Sequence, residues 1–131
     1  MQMNGSIVLD TNIAVAFMAG DRAISQCIAE SQRVILSVVV VGELFYGAQN
    51  SGRPAHNFRR VEDLVARSEV VDINLETARN LGIVKTALRQ KGKPIPNNDI
   101  WLAAVAQQFD AALATRDAHF DVVEGITVIR W

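Results

Sequence analysis

The chain has few of the features that direct a protein to the secreted, membrane or zinc-binding classes. It contains a single cysteine, Cys27, which excludes an intrachain disulfide, and no histidine pattern accompanies it that would indicate a zinc ligand or a nucleophile. The longest apolar run, residues 34–45, is interrupted by serine, glycine and glutamate and is too short to span a bilayer. Residues 1–9 show no basic stretch followed by a long apolar one, so we expect no signal peptide and predict a cytoplasmic protein.

The chain also lacks a charge excess of either sign. Its 13 basic and 14 acidic residues leave a net charge of −1, which provides no general attraction to nucleic acid or membranes. A nucleic-acid enzyme is not excluded by this balance, because local basic patches bind phosphates and a cluster of acids masks them in the total. The length of 131 residues suits one domain, predicted to span residues 1–131.

Segments with the apolar spacing of β-strands alternate along the chain with segments that have the apolar spacing of helices. Short buried strands are predicted at 6–9, 34–36, 70–72, 112–114 and 127–130. Helices are predicted at 13–18, 21–31, 37–49, around 58–65, at 75–90 and at 99–109. This alternation is typical of an α/β domain with a mainly parallel central sheet that helices flank.

Four carboxylates stand at positions where the surrounding sequence is apolar. Asp10 directly follows the first strand, and Asp117 comes shortly after the fourth. Glu43 interrupts one apolar helical segment, and Asp99 opens another. We expect these surroundings to be largely buried, where a carboxylate needs a cation, a hydrogen-bond cage or a metal ion. Taken singly, Asp10 and Asp99 could be helix caps, and Asp117 a turn residue paired with Arg116.

The joint occurrence of the four acids favours a metal site. Residues beyond the carboxyl ends of parallel strands and at neighbouring helix N-termini meet at one edge of such a sheet. Carboxylates about 5 Å apart repel by on the order of 3 kcal/mol per pair at an effective dielectric constant of about 20, so a cation is needed nearby. Oxygen ligands suit Mg²⁺ or Mn²⁺ rather than Zn²⁺, and such a site supports phosphodiester hydrolysis.

The four acids stand in motifs that resemble those of the PIN-domain ribonucleases, in particular the VapC toxins of toxin–antitoxin pairs. The motifs are Leu9-Asp10-Thr11-Asn12, Gly42-Glu43-Leu44, Asn98-Asp99-Ile100-Trp101-Leu102-Ala103-Ala104 and Ala114-Thr115-Arg116-Asp117-Ala118-His119-Phe120. Each motif is degenerate by itself. Four in this order within 131 residues are specific, and the resemblance covers essentially the whole chain.

The resemblance implies a function and a set of roles. Such proteins bind Mg²⁺ or Mn²⁺, cut single-stranded or looped RNA such as tRNA or rRNA loops, form homodimers and are inhibited by a VapB-like antitoxin. By motif, Asp10 and Asp99 are expected to bind the metal directly. Glu43 and Asp117 are expected to complete the pocket. Thr115 is expected to position a water molecule or a carboxylate, and Asn12 is a weaker candidate. The number of metal ions stays open.

Other residues receive less specific predictions. His119, next to Phe120, is interpreted as a structural residue. Arg59 and Arg60 are interpreted as a solvated helix face. Arg89, Lys91 and Lys93 precede Asp99 and are candidates to bind substrate phosphates. Because the corresponding region of VapC-like proteins often binds the antitoxin, we expect three aromatic residues near the 51–54 turn to be exposed: Phe45, Tyr46 and Phe58.

Competing functions fit the sequence less well. A haloacid-dehalogenase-like phosphatase needs a second acid where this chain has Asn12, and a receiver domain needs an acidic pair that is absent. A non-catalytic PIN-like module that binds RNA or protein is the main alternative, although such modules usually lose acids that this chain keeps. Cleavage of DNA, as in 5′-nuclease-like relatives of the fold, is a further option that the short chain makes less attractive.

Overall fold

Five short apolar segments form one parallel sheet in the computed structural model, which describes residues 4–131. The strands are β1 (Asn4–Leu9), β2 (Ser31–Ser37), β3 (Glu69–Val71), β4 (Ala112–Thr115) and β5 (Val128–Arg130). Their order in the sheet is β3-β2-β1-β4-β5, and every neighbouring pair is parallel. The predicted α/β architecture is confirmed. The prediction that residues 1–9 form no signal peptide falls partly on Met1–Met3, which lie outside the described residues.

Six helices connect the strands: α1 (Thr11–Met18), α2 (Arg22–Ala29), α3 (Val38–Gln49), α4 (Pro54–Arg67), α5 (Leu75–Lys91) and α6 (Asn97–Gln108). Four of them start at a side chain that accepts a hydrogen bond from an unpaired N–H group of the first turn. Asp10, Asp21, Ser37 and Asn74 cap α1, α2, α3 and α5 in this way. Across residues 4–131, none of these helices combines the length and apolar character needed to cross a bilayer.

Two local features differ from the sequence-based expectation. Helix α6 begins at Asn97 rather than Asp99, because Pro96 is itself extended (φ −56°, ψ 146°) and leaves the next residue able to start a helix. Asp99 therefore lies inside the first turn. The second difference is a 3₁₀ helix, Ala118–Val122, which follows β4 and which the sequence pattern does not predict. Its only buried side chain is Phe120, too little to give a helical apolar pattern.

The order of the strands creates a crevice at one edge of the sheet. From β1 the chain moves outward through β2 and β3, then returns to place β4 on the other side of β1, with β5 beyond it. Beyond the carboxyl ends of β1 and β4, the helices that follow therefore leave in opposite directions, which is where α/β sheets form binding sites. The Asp10 N–H donates to the Ala114 carbonyl at 3.0 Å and ties these two ends together. The crevice thus begins at Asp10.

Two glycines of α5 provide a test of this backbone. Gly92 ends the helix at φ 66°, whereas Gly82 is in the helix interior, where an added Cβ would meet nothing within 4 Å. We expect Gly92→Ala to lower the free energy of unfolding by about 1 kcal/mol, because an L side chain strains this conformation. Gly82→Ala should raise it by roughly 0.5–1 kcal/mol, because alanine restricts the unfolded chain. Urea denaturation measures both, and shifts of the same sign would contradict the assigned conformations.

Candidate active site

All four predicted acids line one cavity of about 390 Å³ at the carboxyl edge of the sheet. Asp10 comes from the end of β1 and Asp117 from the segment after β4, whereas Glu43 and Asp99 come from helices α3 and α6. The other lining residues are neighbours of these acids in the chain or apolar residues of the same helices: Thr11, Asn12, Val39, Val40, Asn98 and Leu102. Segments from across the chain thus meet in one acidic pocket.

Asp10 is the buried one of the four acids, with 7% of its surface exposed. Its Oδ1 accepts a hydrogen bond from the Thr11 N–H at 2.7 Å. Its Oδ2 accepts one from the Thr115 hydroxyl at 2.7 Å and one from the Asn12 amide at 3.2 Å. A carboxylate offers about four acceptor positions, so these three bonds fix the group and leave it the capacity for one more ligand. The role of Asp10 as a helix cap and its place in the pocket are therefore compatible.

Thr115 joins two of the acids through one hydroxyl group. Its Oγ1 donates to Asp10 and accepts a hydrogen bond from the Asp117 N–H at 2.9 Å, and the side chain is fully buried. Asn12 adds a second connection, because its Oδ1 accepts from the Arg116 N–H at 3.2 Å. The segment after β4 is thereby held against the start of α1.

Glu43 and Asp99 reach the pocket from helices and are less buried than the sequence suggests. Glu43 is exposed, because the helical period turns Val40 and Leu44 to the core and leaves Glu43 on another face. The expectation that all four acids are largely buried is therefore wrong for Glu43, and it holds only partly for Asp99 and Asp117, which are half-buried. The Asn98 amide donates to Glu43 Oε1 at 2.9 Å and joins α6 to α3. Asp99 is not a helix cap, since Pro96 occupies that position.

Asp117 does not pair with Arg116. The Arg116 guanidinium donates to Asp21 at 3.1 Å and to the carbonyl of Trp131 at 3.0 Å, which directs it away from the pocket. Asp117 instead caps the 3₁₀ helix by accepting from the His119 N–H at 2.9 Å. The one basic residue that the sequence offers as a partner is thus engaged elsewhere.

His119 is the functional candidate that the sequence interpretation misses. Its Nδ1 lies 2.8 Å from Asp99 Oδ2 and 3.2 Å from Asp117 Oδ2, so the ring stands between two of the acids. The hydrogen bond with Asp99 raises the pKa of His119, and the charges of Asp117 and Asp10 add to the effect. The Asp-Ala-His-Phe sequence could have indicated this position. Phe120 is buried in the core, so the preceding histidine, two residues after Asp117, lies at the surface beside the acids.

The donor set fits a hard divalent cation. Burial raises the pKa of Asp99, and the charges of Asp10 and Asp117 raise it further, while the hydrogen bond with His119 opposes the shift. The pocket therefore carries an excess of negative charge that its own residues do not neutralise. Among the described residues, one donor atom each from Asp99, Asp117 and His119 lie within 4.8 Å of one another, close enough to bind one ion.

An apolar groove adjoins the acidic pocket. It has a volume of about 330 Å³, lies between helices α1, α3 and α4, and shares Thr11 and Glu43 with the pocket. The expected exposure of aromatic side chains in this region is seen for Tyr46, which is 70% exposed, and for Phe58, which is 37% exposed. Phe45 is half-buried and stacks on Phe58, with 4.6 Å between ring centroids.

Comparison with known proteins gives a consistent result. The sequence pattern of the PIN domain matches residues 7–126. The chain is 29% identical over 127 residues to Ribonuclease VapC2 of Haemophilus influenzae, which covers 95% of this chain and 96% of the relative. It is also 29% identical over 102 residues to the tRNA(fMet)-specific endonuclease VapC of Salmonella typhimurium, covering 77% of each chain.

Solved structures share the fold over almost the full length. The structure of VapBC2 from Rickettsia felis bound to a DNA fragment from its promoter superposes with a TM-score of 0.88, at 25% identity and over 96% of this chain and 98% of the other. VapBC-1 from nontypeable Haemophilus influenzae gives a TM-score of 0.85, at 27% identity and with the same coverage.

Replacing Asp99 by asparagine tests the excess of negative charge. Folding raises the pKa of Asp99, so its ionised form destabilises the folded state. The free energy of unfolding therefore falls as pH rises from below the ordinary pKa through the raised one. We therefore expect Asp99→Asn to be more stable than the parent at pH 7 in EDTA, and this advantage to disappear below the ordinary pKa of Asp, about 3.9. Thermal unfolding across pH measures it, and a destabilised variant at pH 7 would contradict the electrostatic argument.

Proposed function

The chain belongs to the PIN domain family, and from that premise we propose that it is a metal-dependent endoribonuclease toxin that a VapB-like antitoxin inhibits. The family is established by the match over residues 7–126. Ribonuclease relatives that align over nearly the whole chain, and VapBC complexes of the same fold, support the function. The reaction is hydrolysis of RNA phosphodiester bonds.

The observation that carries the proposal is the meeting of Asp10, Glu43, Asp99 and Asp117 in one pocket at the switch point of the sheet. A structural role accounts for parts of this set, since Asp10 and Asp117 also cap helices. It does not account for Asp99, which has a raised pKa and no capping role, or for Glu43, which is exposed beside it. Like charges gathered at some cost to stability are typical of a catalytic site.

Each residue has a defined part in the proposed reaction. Asp10 and Asp99 would hold a divalent cation, with Asp117 and Glu43 completing the ligand set directly or through water. Bound there, Mg²⁺ or Mn²⁺ supplies a Lewis acid for the phosphate and lowers the pKa of a coordinated water molecule. Thr115 holds the carboxylate of Asp10 in place, and Asn98 holds that of Glu43. Both hydrogen bonds lower the reorganisation that binding of substrate would require.

The family relationship indicates RNA as the substrate class. The particular RNA that the chain cuts is a narrower prediction. One relative is a tRNA(fMet)-specific endonuclease, and others are described as ribonucleases. A tRNA or rRNA loop is therefore the substrate we predict for this chain. The non-catalytic RNA- or protein-binding module is the alternative, and retention of the four acids counts against it.

The apolar groove is the surface we assign to the antitoxin. It is open and lined mainly by apolar residues of α1, α3 and α4, with Val15 49% exposed at one side and Arg60 at another. A partner helix with an apolar face would cover this surface. Because the groove shares Glu43 with the acidic pocket, a bound partner would also reach the pocket. The homodimer and the cytoplasmic location stay predictions.

Metal-dependent cleavage of RNA is the decisive measurement. Purified chain, freed of antitoxin, is incubated with mixed tRNA and rRNA in Mg²⁺ or Mn²⁺, with an EDTA arm. We expect discrete cuts that EDTA abolishes. The double variant Asp10→Asn, Asp99→Asn should lower the rate by on the order of a hundredfold or more, because it removes charges that hold the cation.

A matched control separates the site from the total charge. Asp63→Asn with Asp110→Asn makes the same change of charge at two exposed residues outside the pocket, and it should cleave like the parent. Equal loss of cleavage in both double variants would mean a general charge effect. No cleavage by the parent, together with binding of RNA or antitoxin that the site variants leave unchanged, would favour the non-catalytic module.

We propose Arg89 and Lys93, rather than Lys91, as the residues that bind RNA phosphates. Lys91 donates to the Val122 carbonyl at 3.1 Å and pairs with Glu124 at 2.9 Å, so its charge is already engaged. Lys85, Arg89 and Lys93 are exposed, and within residues 4–131 they form no ion pair. Two of them, Lys85 and Arg89, border a second apolar cavity, of about 370 Å³, which the first turn of α6 lines at Asn97 and Ile100. We assign the path of the RNA strand to this side of the pocket.

The salt dependence of RNA binding tests this assignment. Arg89→Ala and Lys93→Ala should each reduce the slope of log affinity against log salt by about 0.7, the value for one phosphate contact to a single strand. Arg67→Ala, at the end of α4 just before β3, should leave the slope unchanged. Binding is measured by fluorescence anisotropy in EDTA to prevent cleavage. A slope lowered more by Lys91→Ala than by Arg89→Ala would overturn the assignment.

A further inference from the structure

We propose that His119 binds the catalytic cation through Nδ1, beside Asp99 and Asp117, and that the site therefore favours Mn²⁺ over Mg²⁺. The proposal rests on the proposed function, which supplies the need for a divalent cation. It goes beyond the four acids by adding a nitrogen ligand. The ion that we expect the site to prefer is a transition-metal dication.

The position of His119 is set by its neighbours rather than by chance at the surface. The residue belongs to the 3₁₀ helix that Asp117 caps, and the capping hydrogen bond is the one that the His119 N–H donates to Asp117 Oδ1. The next residue, Phe120, is fully buried and fixes this helix to the core. The side chain itself is half exposed, and its Nδ1 contacts both Asp99 and Asp117.

The distances suit adjacent ligands of one ion. Donor atoms at about 2.1 Å from an octahedral cation lie about 3 Å apart when they are neighbours around it. His119 Nδ1 is 2.8 Å from Asp99 Oδ2 and 3.2 Å from Asp117 Oδ2. The three donors together lie within 4.8 Å. Cation binding would release to solvent the proton that Nδ1 shares with Asp99 Oδ2, and the half-exposed ring of His119 leaves room for the adjustment.

A nitrogen ligand changes which metal ion the site prefers. Mg²⁺ takes oxygen ligands almost exclusively, whereas imidazole is a good ligand for the first-row transition metals. Four acids alone would bind either ion, so the predicted preference depends on His119. The competing role for the ring is that of a hydrogen-bond donor that balances the charge of Asp99, and an amide side chain would reproduce that role.

The second histidine of the chain provides an internal control. The chain has two histidines in all, His119 and His56. The guanidinium groups of Arg53, Arg60 and Arg59 lower the pKa of His56, so it lies in a cationic environment that repels a metal ion. Any imidazole nitrogen found on a bound cation can then be assigned by two single substitutions.

The experiment measures the ligands of bound Mn²⁺ directly. Electron spin-echo envelope modulation is recorded on the full chain with one equivalent of Mn²⁺, for the parent, His119→Gln and His56→Gln. We expect ¹⁴N modulation from imidazole in the parent and in His56→Gln, and none in His119→Gln. Calorimetry should show at least about a tenfold fall in Mn²⁺ affinity for His119→Gln, with a change in Mg²⁺ affinity of less than about threefold.

Each other outcome has a definite meaning. Bound Mn²⁺ without ¹⁴N modulation in the parent overturns the ligand role and leaves the ribonuclease function intact if RNA is still cut. Modulation that persists in His119→Gln, or an equal loss of affinity for both metals, also overturns it. If the parent does not bind Mn²⁺ at all, both the ligand role and the proposed metal site fail. Circular dichroism is used to check that His119→Gln, which replaces a half-exposed side chain, is folded.

Discussion

The hydrogen bond from the Thr115 hydroxyl to Asp10 is the interaction on which the rest of the pocket depends. It crosses between the ends of β1 and β4, the two strands where the sheet reverses its order, and it is buried. A carboxylate at this depth needs donors, and the register of the two strands supplies one. The same hydroxyl then accepts from the Asp117 N–H, so the direction of its proton is determined. Helix α1 starts from one end of this chain of bonds and the 3₁₀ helix from the other.

The pocket divides its charges between groups that serve the fold and groups that oppose it. Asp10 and Asp117 accept hydrogen bonds from main-chain N–H groups, which offsets part of their desolvation. Asp99 receives no such bond in α6, and its raised pKa records the cost. A domain of this size has only about 5–15 kcal/mol of net stability, so such costs must stay small. The cost at Asp99 is limited because the side chain lies at a solvent-accessible edge. A cation bound at this edge would therefore stabilise the fold as well as the pocket.

The sequence predicts those features that depend on local chemistry and on strong apolar patterns. The strands, the cap at Asp10 and the presence of four acids at one edge all belong to this group. Their detailed surroundings depend on contacts between distant segments, which no local pattern contains. The partner of Arg116 is 95 residues away in the chain, and His119 meets Asp99 only because α6 and the 3₁₀ helix lie side by side. The exposure of Glu43 follows from the rotation of α3, which its nearly uniform apolar sequence does not define.

The groove and the acidic pocket share a wall, and this affects which substitutions evolution can accept. Glu43 and Thr11 belong to both surfaces. A substitution there that loosens the fit of a bound partner also alters the neighbourhood of the carboxylates. If the antitoxin binds in the groove as proposed, a substitution at these positions that escapes inhibition would also impair cleavage. A substitution at Val15, which is exposed and lines the groove but not the acidic pocket, would change the fit of a partner alone.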